Sequence, residues 1–123
     1  MEGLLYFAAV LAVALGVAHS FLGERYILRR LFRRDDLPKL LGGSEFTTRT
    51  LRFAWHITTV AWVGFAALLV HAGRGDLNTS GTLYIMGATF IVSGLLPLVL
   101  TRGRHLSWLI LFAIGGIAFW CAA

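Results

Sequence analysis

Four apolar runs of near-bilayer length constrain this 123-residue chain more than any motif does. They lie at about 4–22, 51–71, 82–100 and 105–122. About 20 apolar residues carry a helix across a bilayer core. Within hydrocarbon the backbone must satisfy its own hydrogen bonds, which leaves helix as the available form for such runs. Composition agrees, with 58% hydrophobic and only 14% charged residues. A soluble domain of this length could not hide so much apolar surface. The expected fold class is all-α, a four-helix transmembrane bundle forming a single integral membrane domain over 1–123.

Orientation follows from lysine and arginine. The connection between runs one and two holds Arg25, Arg29, Arg30, Arg33, Arg34, Lys39, Arg49 and Arg52. The connection between runs three and four adds Arg102 and Arg104, whereas the one between runs two and three has only Arg74. This bias predicts an N-out/C-out topology, with the arginine-rich connections in the cytoplasm. A prokaryotic plasma (inner) membrane is the expected location. Gly16-Val17-Ala18 loosely resembles a cleavage site, but Met1-Glu2-Gly3 supplies no positive charge before the first run. A retained first helix is therefore expected. The single Cys121 can form no internal disulfide.

Residues 25 to 34 interleave five arginines with Tyr26, Ile27, Leu28, Leu31 and Phe32. This spacing predicts a short amphipathic cytoplasmic segment between helices 1 and 2, lying at the membrane surface. Arg25, Arg29, Arg30, Arg33 and Arg34 either bind anionic lipid or only fix topology. Asp35-Asp36-Leu37-Pro38 should end that segment, and Ser44 is the expected N-cap of the second helix. In the first helix Ala8, Ala12, Gly16 and Ser20 recur every four residues. Such a stripe permits close approach of another helix. The basic residues flank apolar runs, so no nucleic-acid partner is expected.

Ionisable groups inside membrane segments are costly, and so are functional candidates. His19, His56 and His105 all fall near the arginine-rich end, with Glu24 at its edge. In a closed up-down bundle, helix 1 neighbours helices 2 and 4, which would bring the three imidazoles to one level. Thr59 and Arg52 share a helix face with His56, and Pro97 should kink the third helix at the same depth. His71 lies at the other end.

Three chemistries fit this constellation. His19, His56 and His105 with Glu24 make a candidate metal site for zinc, copper, iron or nickel, although no HxxxH pair exists. The diagonal pair His56 and His105 has the better spacing for haem ligation. Histidine with Trp55 and Phe21 nearby suits quinone or proton chemistry. The same residues also have an ordinary reading, as hydrogen bonds across helices, an ion pair and a helix cap. The sequence contains no GxSxG, Walker A or GxGxxG motif. Two functions remain open: a cofactor-binding membrane protein using His19, His56, His105 and Glu24, or a non-catalytic membrane subunit or assembly factor. The second would act through helix packing, in a homo-oligomer or a larger membrane complex.

Overall fold

The structure is a computed structural model that describes residues 1–123. It is all-helical. Helix α1 spans Glu2–Leu31, α2 Glu45–Arg74, α3 Thr79–Leu100 and α4 Ser107–Ala122. The first three are long and apolar enough to cross a membrane. Helix α4 has 16 residues, about 24 Å at 1.5 Å per residue. Large apolar side chains such as Val10, Phe21, Val99 and Ile110 are exposed. This is the exterior expected of a protein whose solvent is hydrocarbon.

The end of the first helix differs from the sequence expectation. The arginine segment is a direct continuation of α1, with no break at Leu22. The backbone widens to π-helix over Gly23–Leu28 and closes with one α turn, Arg29–Leu31. Helix α2 begins at Glu45, directly after the expected N-cap position and ahead of the apolar run at 51, because Glu45-Phe46-Thr47-Thr48 extends the same ladder outward. Ser44 stands at its N-cap position, but its hydroxyl makes no capping bond. Asn78 does cap α3, its side-chain oxygen accepting from Gly81 N at 2.8 Å. Gly75 ends α2 in the left-handed region at φ 72°, a conformation that a Cβ disfavours.

The helices pack in series. Helix α1 packs on α2, α2 on α3 and α3 on α4, while α1 touches neither α3 nor α4. The expected adjacency of helices 1 and 4 is therefore overturned. The packing faces explain the serial order. Gly16 of α1 meets Thr59 of α2, and the stripe Ala8, Ala12, Gly16, Ser20 turns toward that helix rather than outward. Gly64 of α2 abuts Thr89 of α3. Gly87 of α3 and Gly115 of α4 face each other so closely that a Cβ on either would lie about 3 Å from the other's carbonyl oxygen. Each seam is cut by small residues for one neighbour, and α1 carries one such seam.

Candidate functional site

The seam between α1 and α2 carries most of the polar chemistry. On α1, Gly16, Ser20 and Glu24 follow at steps of four. On α2, Arg52, His56 and Thr59 follow at steps of four and three. These spacings stack side chains on one helix face. Because the helices run antiparallel, Thr59 meets Gly16 and Ser20, His56 meets Ser20 and Glu24, and Arg52 meets Glu24.

The contacts form one continuous chain. Thr59 Oγ1 donates to the Gly16 carbonyl at 3.0 Å. Ser20 Oγ lies 2.6 Å from Thr59 Oγ1. His56 Nδ1 lies 2.8 Å from Ser20 Oγ, and His56 Nε2 lies 3.3 Å from Glu24 Oε2. Arg52 grips the same carboxylate with Nε and Nη2 at 3.2 and 3.0 Å. Arg29 Nε stands 3.9 Å from Glu24 Oε1.

Each hydroxyl has a single proton, and this fixes the direction of the chain. Thr59 gives its proton to a carbonyl, which can only accept. Ser20 must then donate to Thr59, and His56 Nδ1–H must donate to Ser20. His56 therefore carries its proton on Nδ1. Its Nε2 faces a carboxylate oxygen, so this contact is a hydrogen bond only when one proton lies between them. The pair is wired on one side to the interior of the seam and on the other to Arg52 and Arg29.

His19 belongs to another surface. Its Nε2 donates to the Trp55 carbonyl at 3.2 Å, and Trp55 Nε1 donates back to the His19 carbonyl at 3.0 Å. Their rings stack at 4.5 Å, and Trp62 meets the imidazole edge-on at 5.1 Å. The indole lies over Gly23, where a Cβ would come 2.0 Å from Trp55 Nε1. The π-helical turns begin at this glycine. A side-chain donor competing for the carbonyl one turn earlier is a physical cause of such widening.

His105 is elsewhere again. It sits in the turn before α4, where its backbone N donates to Thr101 Oγ1 at 3.0 Å and its Nδ1 lies 2.8 Å from Ser107 Oγ. Its ring packs against Phe46 and Phe53 of α2. It packs the turn before α4 against the start of α2. His71, at the far end, lies 3.1 Å from Asp76.

The convergence of His19, His56 and His105 expected from their depths does not occur. No group of three or more His, Cys, Asp or Glu side chains is arranged to hold a metal ion. The serial packing keeps α4 away from α1. On α1 itself, His19 and Glu24 are turned to opposite sides of the seam. Both nitrogens of His56 are engaged, so it has no free lone pair to offer a haem iron in this arrangement. Glu24 and His56 are brought together. Pro97 is buried at the end of α3, a helix that does not touch α1.

Beside the chain of hydrogen bonds is a groove of about 680 Å³, lined by Val17, Ser20, Phe21, Glu24, Arg25, Arg29 and Thr59. On the sequence, Arg29 stands only for topology or lipid, while Arg25 and Ser20 also belong to the ordinary reading of an ion pair and cross-helix hydrogen bonds. Their place around Glu24 was legible in one signal, the antiparallel match of Gly16, Ser20, Glu24 with Thr59, His56, Arg52. Comparison with known proteins finds no matching family model, no similar curated protein and no similar solved structure.

Proposed function

We propose that this is an integral membrane protein whose α1–α2 pair binds a lipid-soluble ligand of the quinone class. The ring occupies the groove beside Glu24, and its carbonyl oxygens accept from Arg25 or Arg29. Glu24, held from behind by His56 and Arg52, accepts a hydrogen bond from a hydroxyl of the reduced, quinol form of the ligand. The observation that carries this reading is the directed chain from Gly16 to Glu24, which ends on a carboxylate in an arginine-lined, partly apolar groove. Such a groove admits a ligand from the bilayer, while Arg52 and Arg29 connect the carboxylate to the water side. The lysine and arginine bias favours a prokaryotic inner membrane, with the groove at the cytoplasmic face and both termini outside.

The test is quenching of tryptophan fluorescence by tetramethylbenzoquinone in protein reconstituted into phospholipid nanodiscs. Saturable quenching that weakens in Glu24→Gln and Arg29→Ala is the expected result. Quenching that is linear in quinone and identical in all three proteins would reject the reading.

A second reading rests on the one-sided packing of α1, which leaves Phe7, Val10 and Leu15 exposed. In it the protein is a non-catalytic subunit that docks this face on a larger membrane partner. Native mass spectrometry from mild detergent separates the two: a stable stoichiometric complex supports the subunit reading, and a monomer counts against it. The same spectra report on anionic lipid at Arg25, Arg29, Arg30, Arg33 and Arg34, through retention of phosphatidylglycerol over phosphatidylcholine.

A further inference from the structure

The groove beside Glu24 does not end at Thr59. This residue also lines a second cavity of about 460 Å³, formed between α2 and α3 with Val63 and Ala67 on one side and Ala88 and Val92 on the other. Val63 and Ala67 in turn line a third cavity, between α2 and α1. Thr59, Val63 and Ala67 are spaced by four residues and form one stripe along α2, about 12 Å long at 1.5 Å per residue. The stripe is recessed for a topological reason. Helices α1 and α3 both flank α2 and do not touch each other. Helix α4 does not fill the gap: it packs on α3, and its Leu111 lines a cavity on the opposite face of α2, with Ile57 and Ala61.

We propose that the ligand of this site carries a single long hydrocarbon tail, and that the tail lies in the valley floored by Thr59, Val63 and Ala67. This rests on the quinone reading of the head site and extends it to the class of quinone: a tailed, membrane-resident one rather than a small diffusible ring. The continuity at Thr59 commits the valley to this occupant. A ring placed against Ser20 and Glu24 has Thr59 beneath it, so a substituent on that ring leaves along the stripe toward the middle of the membrane. The small side chains of Ala67 and Ala88 keep the way open. In a bilayer the tail gains no hydrophobic energy on leaving lipid, so what holds it is shape fit in this open valley.

The test uses a benzoquinone whose alkyl tail bears a photoreactive diazirine, in nanodiscs, with labelled residues mapped by peptide mass spectrometry. Labels should concentrate within 59–67 and 85–92, and excess unlabelled tailed quinone should remove them. Filling the valley with Ala67→Trp should cut labelling there roughly fivefold or more, the size expected when a packed site is overfilled. The milder Ala88→Leu should act in the same direction and serves if the tryptophan variant misfolds. Ala88→Leu, which adds no fluorophore, should leave quenching by tail-less tetramethylbenzoquinone unchanged. Labels spread evenly over all four helices, with quenching still dependent on Glu24, would overturn the tail assignment and leave the head site standing. Valley labelling that persists in Glu24→Gln would overturn the link between head and tail.

Discussion

His19 and Trp55 hold each other by side chain and backbone at once. Each ring donates to the other residue's carbonyl, at 3.2 and 3.0 Å, and the two rings lie 3° from parallel. The clasp joins α1 to α2 on the side of the seam opposite Glu24, and it uses His19 as a packing residue. His19→Phe should therefore keep the stack and lose one hydrogen bond, while His19→Ala loses both. The expected order of stability in detergent is wild type, then Phe, then Ala, with the Phe variant down by about 1 kcal/mol. Denaturant titration followed by tryptophan fluorescence checks it. An Ala variant as stable as the Phe variant would show that the stack contributes nothing.

Gly23 admits the Trp55 indole. Gly23→Ala should destabilise by about 1–3 kcal/mol, the usual cost of overpacking. Gly116→Ala is the control, since a Cβ there meets nothing within 4 Å. The control should be neutral or slightly stabilising. Thermal unfolding of both variants in the same detergent makes the comparison.

The chain of single protons predicts a fixed tautomer. In wild type, His56 should carry its proton on Nδ1, read from nitrogen-15 chemical shifts of selectively labelled protein. Ser20→Ala removes the acceptor of that proton, and Thr59→Val removes the group that orients Ser20. Either change should give a mixture of tautomers at a stability cost of about 0.6–2 kcal/mol. An unchanged Nδ1–H signal in Ser20→Ala would mean that the hydroxyl does not set it.

Glu24 and Arg52 form a two-pronged, partly shielded pair. A double-mutant cycle with Glu24→Gln and Arg52→Gln should give a coupling of about 1–2 kcal/mol, above the range of fully exposed pairs. Arg52→Lys should recover less than half of it, because an ammonium cannot bond both carboxylate oxygens in the fork geometry.

In the connection after α1, two hydrogen bonds from Arg34 hold the Asp36 carboxyl below its usual range. The sign follows from the lowered value. The order this pair lends the connection is complete above the ordinary aspartate pKa, and it is lost as pH falls through the lowered one. Proton titration of Asp36 by NMR should show its midpoint rising in Arg34→Gln.

The order of the helices, their apolar character and the concentration of ionisable groups at one end were legible from the chain alone. Run length and charge placement are local properties, and the bilayer reads them locally. The small-residue stripe on α1 likewise announced a packing face before any partner was known. The sequence did not determine which helices become neighbours. That depends on where each helix carries its seam: α1 has one, at Gly16 and Gly23, and α3 and α4 close on each other through Gly87 and Gly115. Serial packing followed, and three histidines at similar depth were sent to three surroundings. The tertiary structure decided that His56 and Arg52 meet Glu24 on one side of the seam while His19 stacks on Trp55 on the other. Depth along a helix can be counted in residues, but the direction a side chain faces is settled by the helix packed against it.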